Sequence, residues 1–353
     1  MATIAQAIRL ALHIGETKLG VEDIFGQDVG PPLGGIFTCT QGLQKTWNSP
    51  LDERGIVGTA IGLALAGKRP IAEIQFCDYI FNTIDLLKLA GNTCWSTIGK
   101  FEAPLVLMTP VGSGIHGSIY HSHSFDATAT HIPGWKIVLP SNSVDAYGLL
   151  ISAIKDPNPV LFLYPKALIR TPSQEKIPGE PEDAKELSKM IDAPLGDRRQ
   201  WKPRWPKIDD FEIPIGKAKI CNEGTLMTII SYGRTLPLCV SAAQNLRKER
   251  GIDAEVIDLR TLFPFDFEMI KSSVKKTGRL LVVNEDTEVT NFGEHLIRRV
   301  IDECFYSLEA PPKLLAGANT PGIGLAWSLE SAQVPQQSSI EKAMVELLLG
   351  ETR

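Results

Sequence analysis

The stretch "WKIVLPSNSVDAYGLLISAIKDPNPVLFLYP" (135–165) decides how the chain is read. It joins two near-continuous apolar runs, 135–140 and 159–165, through a segment whose apolar residues recur at helical spacing. Ser141 to Ser143 supply the start signals for that helix. A strand covered on both faces reads as an unbroken apolar run, so strand–helix–strand here argues a parallel sheet with helices on both sides. "RPIAEIQF" (69–76) and "APLVLMTP" (103–110) are strands of the same kind. The pattern returns later: "LMTIISYG" (226–233), a helix to Arg250, "DAEVIDLR" (253–260), another helix, and "RLLVVNE" (279–285). The chain therefore reads as two open α/β halves.

Between the halves the composition shifts. Residues 171–212 hold six prolines and eighteen charged residues, and few apolar ones. That mixture predicts a surface-wrapping linker, with "EDAKELSKMID" (182–192) as a short helix. The expected domains are 1–171 and 213–353, joined by a charged, proline-rich linker over 172–212.

The bulk properties exclude some functions. With 353 residues there is length for two cores. A net charge of -5 offers no basic footprint for nucleic acid. The longest apolar run, Ile56 to Gly67, is too short to span a membrane. Thr3 to Leu12 reads as an amphipathic helix with no secretory leader before it. Six scattered cysteines form no C-x-x-C pair, which suggests reduced thiols in a cytosol or an organelle matrix.

Two stretches carry chemistry. "PVGSGIHGSIYHSHS" (110–124) contains a literal G-x-G-x-x-G at Gly112, Gly114 and Gly117, with His116, His121 and His123. A dinucleotide site needs a helix after the glycines and an acid about 20 residues on, and neither follows. A metal site, with His131 nearby, has only Asp126 as a local acid. The stretch is otherwise an ordinary Gly/Ser loop, or a histidine-bearing active-site loop at the carboxyl end of a parallel strand. From the loop alone these readings stay open.

The second stretch is "NSPLDERGIVGTAIGLALAG" (48–67). Ser49 to Asp52 matches a capping box, and Ile56, Val57, Ala60, Ile61 and Ala64 predict a helix buried on every side. A carboxyl at the dry end of such a helix keeps its proton more readily, which makes Glu53 a candidate acid/base group. Capping is the plainer alternative.

Five motifs occur in order: "GGIFTCTQGL" (34–43), "NSPLDERGIVGTAIG" (48–62), "AEIQFCDYIF" (72–81), "GIHGSIYHSHS" (114–124) and "VIDLRTLFPFD…TGRLLVVNED" (256–286). Together they closely resemble the β subunit of the thiamin-diphosphate-dependent decarboxylating component of 2-oxoacid dehydrogenase complexes. The branched-chain (2-oxoisovalerate) type looks nearest, with pyruvate and acetoin relatives behind it. The resemblance implies an α/β fold: a pyrimidine-binding parallel-sheet domain followed by a transketolase C-terminal-like domain. It implies an oxidoreductase that decarboxylates a small 2-oxoacid and acylates lipoyl groups. Glu53 would share a proton with the aminopyrimidine, Tyr79 would lie against that ring, and Leu51 and Gln75 would line its pocket. His121 would serve acyl transfer to the lipoyl group. Leu105, Asp156 and Asn158 match positions that enclose a structural potassium ion in some relatives, although Asp156 and Asn158 also read as an ordinary turn.

The Gly-Asp-Gly…Asn element that anchors Mg2+ and the diphosphate is missing from the sequence; "GDR" (196–198) sits in the linker without the continuation. The resemblance therefore implies a separate α subunit holding Mg2+, an α2β2 heterotetramer, and docking to a lipoyl acyltransferase core. Departures from the family pattern fall at Gln27, Asn82-Thr83, "CWSTIG" (94–99), His123 and Phe125-Asp126. A non-catalytic assembly subunit is the alternative from another functional class.

Overall fold

The computed structural model describes residues 1–194, 196, 200–208 and 210–349. It forms two compact units, Met1–Pro110 with Ile132–Ile215, and Val111–His131 with Gly216–Arg353. Asp197 and Arg198 of the linker's "GDR" lie outside the described residues.

The strands of the first unit are β1 (Ile24–Gly26), β2 (Thr46–Asn48), β3 (Ile71–Glu73), β4 (Val106–Val111), β5 (Lys136–Val138) and β6 (Val160–Pro165). They lie in the order β5-β6-β4-β3-β1-β2, and the pairs β1/β2, β1/β3, β3/β4 and β5/β6 are parallel. β4 and β6 are buried throughout, as their continuous apolar runs require. The helix Ser143–Lys155 starts where expected, with Asn142 as the cap, accepting the Asp145 N–H. The opening helix, Ile4–Lys18, runs a turn and a half past the expected Leu12, and Thr3 and Gln6 close a capping box at its start. Ile8, Leu12, Leu150 and Ile154 of these two helices belong to one core.

The charged connecting segment adds to that core. Its expected helix forms over Ala184–Ile191, and Ile177, Leu187, Ile191 and Ile208 are all buried. It also meets Arg9, a guanidinium only 1% exposed. Arg9 donates to the Thr38 carbonyl at 2.6 Å, to the Ile191 carbonyl, and to the Asp192 carboxylate at 2.9 Å. A buried cation is tolerated only when its donors are used in this way.

The second unit contains β7 (Lys219–Asn222), β8 (Met227–Ser231), β9 (Ala254–Asp258), β10 (Thr261–Phe263), β11 (Leu280–Thr287) and β12 (Lys313–Gly317). Five of these form a sheet in the order β12-β11-β8-β9-β7, parallel except for the antiparallel edge pair β7/β9. The helix Thr235–Arg250 covers it and ends at Gly251, whose φ of 68° lies in the left-handed region.

Glu73 ends β3 at 3% exposure. The Tyr164 hydroxyl donates to its Oε2 at 3.1 Å, while burial pushes its carboxyl up to about 7. The folded chain therefore keeps a proton that the unfolded chain releases near the ordinary glutamate value of 4.5, so stability falls as pH rises across that window. Glu73→Gln keeps an acceptor for Tyr164. It is expected to flatten the pH dependence of the urea midpoint between about pH 5 and about pH 8, by a difference on the order of 3 kcal/mol. An unchanged slope would mean that the buried carboxyl is already ionised at the lower pH.

Candidate active site

The carboxyl ends of β1, β2 and β3 lead into the residues singled out in the first unit. Glu53 opens the helix Glu53–Leu65 directly behind Asp52. Asp52 has the extended backbone of a cap but makes no side-chain capping bond, and the Ser49 hydroxyl donates to the Pro50 carbonyl at 3.1 Å. The expected capping box does not form, because the helix starts too late for Ser49 to reach its free N–H groups.

Glu53 is half-buried, and the Asn82 side-chain amide donates to its Oε2 at 3.5 Å. Arg54 fixes Asn82 in turn, donating to its backbone carbonyl at 2.8 Å. The same guanidinium grips both oxygens of Asp85, at 2.6 and 2.9 Å. The start of this helix is thus stitched to the 3-10 turn Cys77–Thr83 and to the helix Ile84–Ser96. Tyr79 lies on that turn, edge-on to Phe76 with ring centroids 5.9 Å apart. Burial raises its phenol above the ordinary value, and the charges of Asp78 and Glu53 add to the rise, which places Glu53 within electrostatic reach of the ring. Gln75 donates to the Gln27 carbonyl at 3.3 Å and to the Asp28 carboxylate at 3.2 Å. Leu51 is 69% exposed. Asn82 enters the sequence reading only as a departure from the family pattern; a polar residue there was the available signal.

The helix behind Glu53 is not buried on every side. Ile56, Val57, Ala60, Ile61 and Ala64 face inward, whereas Gly55, Thr59, Gly62 and Leu65 are exposed. A side chain added at Gly58 or Gly62 would meet nothing within 4 Å. Nearby in the chain, Trp95 and Ile98 are 83% and 92% exposed, and Phe101 and Leu89 are exposed as well.

The histidine loop belongs to the second unit. Gly112, at φ 84°, turns its backbone against Glu285; a Cβ there would stand 2.1 Å from the Glu285 Oε1. Glu285 Oε2 accepts the Ser113 N–H at 3.1 Å and the Ser113 hydroxyl at 2.8 Å. Glu330 Oε2 accepts the Gly114 N–H at 3.0 Å. The N–H groups that a phosphate cradle would present are already held by carboxylates of the same chain, which removes the dinucleotide reading. Gly117 has a different purpose: a Cβ would sit 2.9 Å from Nδ1 of His121, a half-buried side chain. His123 is exposed.

Beneath the loop, Asp126 is 2% exposed and Asp286 5%. Burial raises both carboxyls, and the neighbouring carboxylates add to the rise. No metal-holding group of three or more His, Cys, Asp or Glu side chains occurs among the described residues.

Leu105, Asp156 and Asn158 lie in the first unit. The Lys136 ammonium pairs with Asp156 Oδ2, and the Asn158 N–H donates to Oδ1 at 2.9 Å. The Leu105 carbonyl accepts the Val160 N–H at 3.0 Å. Asp156 thus pairs with a lysine and closes the turn to Asn158, and Leu105 contributes its carbonyl to the strand beyond.

The family model of the transketolase pyrimidine binding domain matches residues 21–172, and that of the transketolase C-terminal domain matches residues 216–340. The chain is 38% identical over 328 residues to the 2-oxoisovalerate dehydrogenase β subunit of Pseudomonas aeruginosa, spanning 90% of this chain and 88% of that one. It is 35% identical to the corresponding Bacillus subtilis subunit, spanning 97% of each. The β subunit of the pyruvate dehydrogenase E1 component of Acholeplasma laidlawii is 38% identical, spanning 89% of each. Among solved structures, a split-gene transketolase in an inactive β4 tetramer aligns with a TM-score of 0.69 at 16% identity, covering 99% of this chain and 98% of that one; this likeness concerns the fold.

Gly112→Ala is expected to cost about 1–3 kcal/mol of stability, because the backbone sits in the left-handed region and the new methyl meets a carboxylate. Thermal unfolding of the purified chain checks this; an unshifted midpoint would show that the close approach of Glu285 is dispensable.

Proposed function

The chain belongs to the β subunits of 2-oxoacid dehydrogenases, and on that footing we propose that it forms the pyrimidine half of a thiamin diphosphate site in a decarboxylating component. The observation that carries the reading is the Glu53 side chain, opening a helix at the sheet's carboxyl edge and tied through Asn82 to the 3-10 turn that bears Tyr79. The Asn82 amide engages Oε2, and among the described residues no hydrogen-bond partner meets Oε1. A carboxyl group with one available oxygen, on a helix tied to the turn that bears Tyr79, fits an aminopyrimidine, which is flat and carries a ring nitrogen able to share a proton.

When bound, thiamin diphosphate supplies a nucleophilic carbon and an electron sink for the loss of CO2. Glu53 Oε1 would share a proton with the pyrimidine ring nitrogen. Asn82 and the Arg54–Asp85 clamp keep that oxygen aimed. Tyr79 would lie against the ring, with Gln75 and Leu51 lining its pocket. His121 donates the proton that a dithiolane needs when it opens and accepts the acyl group.

Because the sequence holds no Gly-Asp-Gly…Asn element, Mg2+ and the diphosphate fall to an α subunit in an α2β2 heterotetramer. The exposed face of the Glu53 helix, with its glycines, suits close packing against that partner. A lipoyl acyltransferase core takes the product, in a cytosol or a mitochondrial matrix. The preferred substrate is a branched-chain 2-oxoacid, which the 2-oxoisovalerate-named relatives support. Pyruvate is the second reading, favoured by a pyruvate-named relative of equal identity. Comparing turnover of 2-oxoisovalerate and pyruvate by the assembled enzyme separates the two.

Glu53→Gln, purified with the α subunit, is expected to lose about 100- to 10,000-fold in 2-oxoacid turnover while still folding. Turnover at the wild-type rate would remove Glu53 from the reaction. His121→Ala is expected to keep most decarboxylation with an artificial electron acceptor, but to lose acyl transfer to a lipoyl domain by a similar factor. Equal losses in the two assays would move His121 into the decarboxylation step.

A further inference from the structure

The histidine loop is gripped from a distant part of the sequence. Helix Trp327–Gln333 carries Glu330 at 1% exposure, and its Oε2 accepts the Gly114 N–H at 3.0 Å. The same oxygen lies 3.6 Å from Nδ1 of His116, a residue held at φ 51° in the left-handed region. Trp327 of that helix stands edge-on to the His116 ring, with centroids 6.2 Å apart. Further round the loop, Ile119 approaches Gly322 closely enough that a Cβ there would touch it at 3.6 Å. Glu285 holds the loop's entry through Ser113, and its Oε2 lies 3.9 Å from the Arg234 guanidinium.

These contacts divide the loop into two parts. The entry, Gly112 to His116, is pinned to carboxylates. Beyond it, Ile119 and Tyr120 are exposed and His121 is half-buried. His121 itself is kept in place by its own N–H donating to the Ser118 carbonyl at 3.1 Å and by the missing side chain of Gly117. The far side of the loop is tied back as well, the Gly112 N–H donating to the His123 carbonyl at 2.9 Å, so the imidazole of His121 is carried between that tie and the pinned shoulder at Gly114 and His116. A buried carboxylate is costly unless its oxygens are hydrogen-bonded, so Glu330 keeps the shoulder wherever it can satisfy that requirement.

We propose that Glu330 is a positioning residue for acyl transfer: through Gly114 and His116 it sets the histidine loop so that His121 meets the lipoyl group. This rests on the reading of His121 as the proton donor to that group. Glu330 touches neither substrate nor cofactor in this account, and its influence is exerted through the loop.

The test uses the enzyme assembled with its α subunit, 2-oxoisovalerate and pyruvate as substrates, and either a lipoyl domain or ferricyanide as the acceptor. In Glu330→Ala, the ratio of lipoyl-dependent to ferricyanide turnover is expected to fall about 10- to 100-fold, the scale of a displaced catalytic group. Hydrogen exchange at the Gly114 amide is expected to accelerate. Glu330→Gln retains an acceptor oxygen and is expected to restore most of the ratio and the protection. Parallel losses in both assays, or unchanged exchange at Gly114, would overturn the proposal.

If Glu330→Ala does not accumulate as folded protein, Trp327→Ala loosens the same shoulder from an exposed position. There a several-fold fall in the ratio, with faster exchange over 114–117, supports the proposal, and no change in either overturns it. His121→Ala run in parallel separates the two ideas. If it leaves the ratio intact, the role of His121 fails, while Gly114 exchange still reports whether Glu330 holds the loop.

Discussion

A backbone N–H has one hydrogen to give, and in the loop after β4 those of Ser113 and Gly114 go to the carboxylates of Glu285 and Glu330. Charge-assisted bonds of this kind are among the stronger ones a protein makes, and Glu285 can come this close only because Gly112 has no side chain in the way. A glycine pattern that resembles a phosphate cradle thus receives anions from inside the molecule. With its entry fixed, the loop has a firm base from which the rest projects outward.

The fold was legible where strands are buried on both faces. β4, β6, β8, β9 and β11 each sit within an apolar run, and the helices between them repeat at the right period. β1 and β2 have three residues each, and β12 is a half-exposed edge strand, so none of them makes a run that stands out. The charged segment after residue 171 is mostly exposed or half-exposed among its described residues, and only a few apolar side chains turn inward. Its composition reads as solvated, yet Leu187 and Ile191 sit four apart on one helix face and are wholly buried.

The functional residues were legible in another way. Glu53, Gln75, Tyr79 and His121 were visible as members of motifs, because local order in the chain keeps them together. Asn82 and Glu330 were not, since each acts on a group far away in sequence, 29 and 216 residues from its hydrogen-bond partner. Pattern and propensity describe a residue's neighbours along the chain, whereas a hydrogen bond across the fold belongs to the tertiary structure. The helix behind Glu53 shows the converse: its small apolar residues suggested complete burial, but half of that surface is open within a single chain.

Trp95, at the end of the helix Ile84–Ser96, and Ile98 and Phe101 just beyond it are large apolar side chains that stand in water in the lone chain. Apolar surface of this kind favours self-association when nothing covers it. At high concentration the lone chain is therefore expected to self-associate through this face, and a covering partner to suppress that.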